Sequence, residues 1–384
     1  MTGKQVYLEE RIPLSAKSGN KHYQFIDIAK GICILLMVIG HSGCPQSLKE
    51  FIYLFHMPVF FFCSGLLFNL HSAETEPKKY LRKKLTGLWR PFVVYSLVFL
   101  AFHNIFYKLC LEVEYYSWKE ILLHLVKIPF CFSSQPLLGG FWFLQHLFYA
   151  NLLLIVVLLI IKTVAPSFNE RTWIYLLTLI TFLLFIVFSA FYRYTGSFSF
   201  YRGQHFASSC TVFLLGVTTS VFLRSKGTAR ENPFGFFNKR KAVALSAFVL
   251  LCILLFATFL IMNTAVRDHL FWQPATILLA LAGILFVFIL SRIIERKTRF
   301  TSRFFAFYGR MSLQILVWHF LAFKAVSAVY VFRNGLPVRM IATHPVIPEC
   351  ADHLGWIVYF LVATTLATVM GCAVESIKQK IGVR

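Results

Sequence analysis

Charged side chains are scarce in this chain. Of its 384 residues, 14% are Asp, Glu, Lys or Arg and 58% are apolar. Soluble domains are about one quarter charged. A mean hydropathy of +0.68 leaves too few polar residues to cover a water-facing surface. A soluble enzyme, a disordered tail and a disulfide-rich secreted module are excluded. The apolar runs are continuous rather than alternating, which excludes an outer-membrane barrel.

Acidic residues are scarcer still, 16 against 38 Lys and Arg, for a net charge of +22. In a soluble protein that excess would suggest nucleic acid. In a membrane protein, cytoplasmic loops rich in Lys and Arg account for it, and no nucleic-acid partner is expected. The nine cysteines form no Cys-x-x-Cys pair and no metal spacing, so they read as small buried residues and no metal is expected. A His-Glu-x-x-His zinc motif is missing. No signal peptide is visible, and a polar lead of roughly 24 residues precedes a first apolar run that reads as a retained helix.

Ten apolar segments approach the ~20 residues that a bilayer-spanning helix needs. They are 25–43, 50–70, 90–110, 141–161, 172–192, 206–223, 242–262, 271–291, 304–324 and 354–375. A weaker segment, 119–132, reads as an interfacial or re-entrant helix, or as a loop. The tails and the loops 71–88, 162–171, 224–241 and 292–303 carry 25 Lys and Arg, against 8 on the other side. By the positive-inside rule both termini are cytoplasmic. The expected architecture is an all-α, polytopic integral membrane protein of about ten spans. Residues 1–24 and 376–384 are cytoplasmic tails, and 25–375 form the membrane domain.

Ionisable groups within spans are functional candidates by default. Acidic ones are nearly absent, since only Asp27 and Glu375 touch the spans, so a paired-carboxylate mechanism has no footing. Histidines are present: His41, His56, His103, His146 and His319 fall in five different spans, and on these boundaries all five lie in the outer half. The bland reading of each is a helix-packing residue bonded to a neighbour. Together they suggest a polar site. Lys30 and His41 are eleven residues apart, three helical turns plus about 20°, so they share one face and lie roughly 16 Å apart along the axis. A rod-like donor with a phosphate-bearing head and a reactive tip, such as coenzyme A, fits that spacing. Snorkelling to lipid headgroups is the alternative for Lys30. In the run Phe55-His56-Met57-Pro58-Val59-Phe60-Phe61-Phe62-Cys63-Ser64-Gly65, Pro58 is expected to kink the helix, and Ser64-Gly65 permits close approach of a neighbour. The basic run Lys78, Lys79, Arg82, Lys83, Lys84 and Arg90 suits anionic lipid headgroups or donor phosphates.

These residues together resemble the membrane-bound acyltransferase family 3 and, within it, the sugar O-acetyltransferase branch similar to fucose O-acetylase-like proteins. The resemblance rests on Phe25-Ile26-Asp27-Ile28-Ala29-Lys30-Gly31 leading to Val38-Ile39-Gly40-His41, and on the Phe55–Gly65 run. Gly140-Phe141-Trp142-Phe143-Leu144 and Tyr308-Gly309-Arg310-Met311-Ser312-Leu313, running to His319, complete it. It implies transfer of an acetyl or other short acyl group from cytosolic acyl-CoA, acetyl-CoA above all, to a hydroxyl of a surface polysaccharide or its lipid-linked precursor. The setting it implies is the bacterial cytoplasmic membrane.

The basic residue and histidine of the first helix, Lys30 and His41, are then essential. The family's Arg-x-x-Arg before the proline of the third helix is departed from here. Lys79-x-x-Arg82 has the spacing but comes early, and Lys84 is followed by Gly87, so Arg82 and Lys84 are assigned to the donor. His41 is the expected base and Asp27 joins it in the catalytic set. His56, Trp142 and His319 are assigned to the acceptor, with Trp142 stacking on a sugar face. Two other classes stand beside this reading: a proton-coupled transporter or flippase using the histidines as a relay, and an accessory protein without chemistry of its own. Acyl-CoA binding separates the enzyme from both.

Overall fold

The computed structural model describes residues 23–164, 170–225, 240–262 and 272–380. Most of the predicted N-terminal tail and of the 224–241 loop lies outside these residues. The described chain is an all-α, multi-pass membrane protein. Nine of its helical stretches are long and apolar enough to cross a bilayer.

The first of them, α1 (Gln24–His41), is the axis of the fold. Its apolar residues lie all round the helix rather than on one stripe, and twelve of its eighteen are buried. A helix apolar on every side is surrounded by other helices. It ends where Ser42 turns its hydroxyl back to Ile39 O at 2.8 Å.

The predicted span 50–70 is two shorter pieces, α2 (Gln46–Tyr53) and α3 (His56–Leu66). The break falls at Phe55, with φ −141° and ψ −19°. Pro58 accordingly does not kink a helix. It sits in the first turn of α3, where a missing amide N–H breaks no helical bond. After α4 (Leu70–Thr75), α5 (Pro77–Lys84) joins α6 (Arg90–Lys108) through a π-helical turn at Leu85–Trp89. Pro91 explains that turn: its ring would clash with the carbonyl four residues back, and a π-bulge absorbs the misfit.

The weak segment 119–132 folds back along α6. Asn104 ties the start of the segment to the far end of α6, through Tyr116 N and O at 2.9 Å each. A capping box of Ser117 and Glu120 then opens α7 (Trp118–Lys127). The chain runs back along α6 until Pro129 O accepts from Trp89 Nε1 at 2.7 Å. From there α8 (Trp142–Val164) continues the crossing, followed by α9 (Glu170–Thr195), α10 (Phe198–Ser225), α11 (Arg240–Met262) and α12 (Trp272–Lys297).

The predicted span 304–324 is also broken. An amphipathic helix, α13 (Arg299–Arg310), ends at Met311, and α14 (Ser312–Arg333) begins there. The short α15 (Pro348–Ala351) and the long α16 (Gly355–Lys380) complete the chain. Because α14 starts eight residues later than predicted, His319 lies in its first half rather than late in a span. Helices in lipid associate by close packing rather than by exclusion from water. Here α13 lies against α1, with Phe305 O at Gly31 and Asp27 O at Gly309, and α3 lies against α10 at Gly65 and Gly216.

Candidate active site

His41 ends α1 just where α2 and α3 fold back over it. Its Nδ1 lies 3.4 Å from Tyr53 Oη, and that hydroxyl also reaches Gly40 O at 3.3 Å. A phenol has one proton. Donated to the Gly40 carbonyl, it leaves the phenol oxygen to accept from His41 Nδ1–H, so that Nε2 carries the free lone pair. His56 Nδ1 lies 2.9 Å from Ile52 O, and His319 Nδ1 lies 3.1 and 3.0 Å from Ile315 O and Leu316 O. A carbonyl only accepts, so both Nδ1 atoms hold the proton and both Nε2 atoms are acceptors. His319 Nε2 is buried with no hydrogen-bond partner among the described residues. The rings of His41 and His319 are 5.7 Å apart, and Tyr53 lies 5.0 Å from His56. Three imidazoles from three helices therefore converge, and of these His41 and His56 open onto a cavity. No metal-holding group of three or more ligands occurs among the described residues.

Two cavities meet at His41. The larger, of ≈ 1410 Å³, is bounded by His41, His56, Trp142 and His146 and reaches Arg202 and Lys127. The smaller, of ≈ 720 Å³, takes in Lys49, His344, Glu349 and Asp352. Trp142 is 38% exposed on the larger one, its ring 6.4 Å from Phe61 and 5.3 Å from His146. His146 Nδ1 meets Ser209 Oγ at 3.2 Å.

His344 was not marked by the sequence. It lies far from every apolar run, yet its ring is 4.6 Å from Phe320, next to His319. What holds it there is Lys324, 2% exposed, whose Nζ donates to Ala342 O at 3.1 Å and Thr343 O at 2.7 Å. Glu112 is buried nearby, with one carboxylate oxygen unpartnered. Burial pushes the Glu112 carboxyl up to about 7 from its ordinary 4.5, against the opposing pull of Lys324.

The consequence for stability has a definite sign. The folded value exceeds the unfolded one, so the folded state is favoured most below pH 4.5 and loses about 3 kcal/mol as pH rises through 7. Glu112→Gln should flatten the fall of the detergent melting midpoint between pH 5 and 8. An unchanged slope would exclude Glu112 as its source.

The structure separates some residues that the sequence grouped. Asp27 lies fourteen residues before His41, about 21 Å along the helix. It faces Arg310 at 3.9 Å instead, and distance along α1 keeps it apart from His41. Lys30 is half-buried on α1 beside Cys63. Of the basic run, Lys79 pairs with Glu76 at 2.9 Å and Lys84 lies 5.1 Å over the Tyr80 ring, while Arg82 is exposed. His103 takes no part in the site: it stacks on Tyr116 at 3.5 Å, with His124 on the other face at 4.7 Å. His41, His56, Trp142 and His319 are brought together.

A family model described as an acyltransferase domain, acyltransferase family 3, covers residues 23–374. No curated protein and no solved structure matches the chain.

Proposed function

The chain belongs to this family of membrane acyltransferases, and on that premise we propose that it moves an acetyl or other short acyl group from acyl-CoA to a sugar hydroxyl. The acceptor in this reading is a cell-surface polysaccharide or its lipid-linked precursor, and the setting is a bacterial cytoplasmic membrane. The observation that carries the reading is the position of His41. It stands where the two cavities meet, with Lys30 on the same face of the same helix about 16 Å away.

In the transfer, the acceptor oxygen forms a bond to the acyl carbon while its proton passes to His41 Nε2. The carbon–sulfur bond then breaks, and the leaving thiolate takes that proton as free CoA. Tyr53 holds the imidazole in the tautomer that this step needs. Lys30, with Arg82 and Lys84 from α5, binds the phosphates of the donor, because a cation facing phosphate forms strong charge-assisted bonds.

The test is acetyl-CoA consumption by purified protein in nanodiscs, wild type beside Lys30→Ala. A lost charged contact of about 1.5–3 kcal/mol raises the apparent KM for acetyl-CoA about ten- to a hundredfold, with kcat changed less. An unchanged KM would remove Lys30 from the donor site. Absence of both binding and turnover with every short acyl-CoA tested would overturn the reading, and the histidine cluster would become a relay in a transporter.

A further inference from the structure

Acyl transfer has one need that the three converging imidazoles do not meet. As the acceptor oxygen bonds to the acyl carbon, the carbonyl electron pair moves onto the carbonyl oxygen, and that oxyanion needs a hydrogen-bond donor. The protons nearest His41 are already engaged. His56 Nδ1 and His319 Nδ1 face backbone carbonyls, His41 Nδ1 faces Tyr53 Oη, and the Tyr53 hydroxyl reaches Gly40 O. In the smaller cavity Gln46 donates to Glu50, and the Lys49 ammonium stands 5.6 Å over the Tyr53 ring.

His344 differs from the other three. It lines the smaller cavity together with His41, and among the described residues its ring makes no hydrogen bond. The Phe320 ring lies 5.1 Å from His41 and 4.6 Å from His344. Two imidazoles against one phenyl ring can face a single tetrahedral carbon, one at its nucleophile and the other at its oxyanion. Two contacts from α14 fix the chain on either side of His344. Lys324, buried within an apolar span, donates to the carbonyls of Ala342 and Thr343. Three residues on, buried Ser327 lies 2.9 Å from Tyr359 Oη, which accepts from Ile347 N at 3.3 Å. An ammonium inside a span is costly and needs a reason. Here it grips the two carbonyls immediately before His344.

We infer that His344 is a second catalytic residue, donating a ring N–H to the carbonyl oxygen of the acyl group as it becomes the oxyanion, and that Lys324 is the positioning residue that holds His344 there. The inference rests on the acyltransferase reading. The acceptor proton passes to His41 Nε2 while the carbonyl electron pair moves onto oxygen, facing His344. When that pair returns, the carbon–sulfur bond breaks and the thiolate takes the proton from His41. His344 keeps its own proton throughout. Its hydrogen bond strengthens only as charge develops on the oxygen, so its loss lowers kcat and leaves the KM for acetyl-CoA unchanged.

The experiment follows hydrolysis of acetyl-CoA by the full-length protein in nanodiscs, because attack by water passes through the same oxyanion. His344→Ala is expected to lower kcat about ten- to a hundredfold with KM within about twofold of wild type. His344→Gln retains an N–H donor and should keep part of the rate. Lys324→Met should also lower kcat, Lys324→Arg less so, and the double variant His344→Ala/Lys324→Met should be no slower than His344→Ala alone. Hydrogen exchange over 338–348 gives a readout without turnover: faster in Lys324→Met and near wild type in Lys324→Arg. A kcat for His344→Ala within about threefold of wild type, or equal loss in His344→Ala and His344→Gln, overturns the catalytic assignment. Additive losses in the double variant, or unchanged exchange in Lys324→Met, overturn the positioning one. No wild-type turnover overturns both, and loss of acetyl-CoA binding as well removes the acyltransferase reading beneath them.

Discussion

Replacing His41 by alanine is expected to remove nearly all acyl transfer while the protein still folds and inserts. General-base catalysis contributes about 10²–10⁴-fold to rate, and of the three converging imidazoles His41 alone lines both cavities. His319 is fully buried, and His56 is 5% exposed. His41 is half-buried, opens onto both cavities and has Tyr53 to fix its tautomer. Folding should survive because the imidazole, at the last position of α1, anchors no core hydrogen bond beyond the 3.4 Å contact to Tyr53. The check is CoA release beside the elution profile from size exclusion. Activity within threefold of wild type would dismiss His41 as the base. Retention in His41→Ala combined with loss in His319→Ala would transfer the role to His319.

Much of this site was legible because lipid makes polar residues conspicuous. A histidine in an apolar run needs a reason, and the rings of His41 and His319 lie 5.7 Å apart while His56 lines the same cavity as His41. His103 keeps its bland reading: its Nε2 lies 3.0 Å from Glu114 O and its ring stacks on Tyr116, from a loop that no periodicity reveals. Asp27 was grouped with His41 by motif alone, and the helical rise separates them. Tyr53 stood three residues before His56 and carried no signal, since an aromatic residue near the end of an apolar run is ordinary. His344 and Lys324 were invisible for a different reason: the loop 338–348 is placed by two side-chain-to-carbonyl bonds, which depend on tertiary structure and leave no pattern in sequence.

For the fold, total hydrophobicity gave the class, and local chemistry decided the boundaries. Hydropathy windows see apolar content but not breaks. They therefore merged α2 with α3 across Phe55, and joined α13 to α14 across Met311. Both breaks have consequences for the site. The first lets α2 close over His41. The second moves His319 down α14, level with Gly140 in the turn before α8, which lies against Leu316 and His319.

Gly65→Val should prevent the protein from reaching its native packing, an effect comparable in size to the loss of the base but of different origin. A Cβ at Gly65 would collide with the carbonyl of Phe213 and lie 2.8 Å from Val217 N, and Gly216 faces Phe62 O in the reciprocal contact. Backbone on both sides leaves nothing that can swing away. The two helices must separate, and overpacking of this kind costs about 3 kcal/mol or more.

Gly87→Ala is the matching control, since nothing lies within 4 Å of a Cβ there. A helix gains about 0.5–1 kcal/mol when an unconstrained glycine becomes alanine. The expected result is loss of the monodisperse peak for Gly65→Val and an unchanged or higher melting midpoint for Gly87→Ala. Equal behaviour of the two variants would mean that close approach of α3 to α10 is not what holds them together. Separation of these helices would also take the candidate site apart. His56 begins α3, and Ser209, which holds His146, lies on α10. The cavity therefore keeps its width only while two glycines keep two backbones in contact.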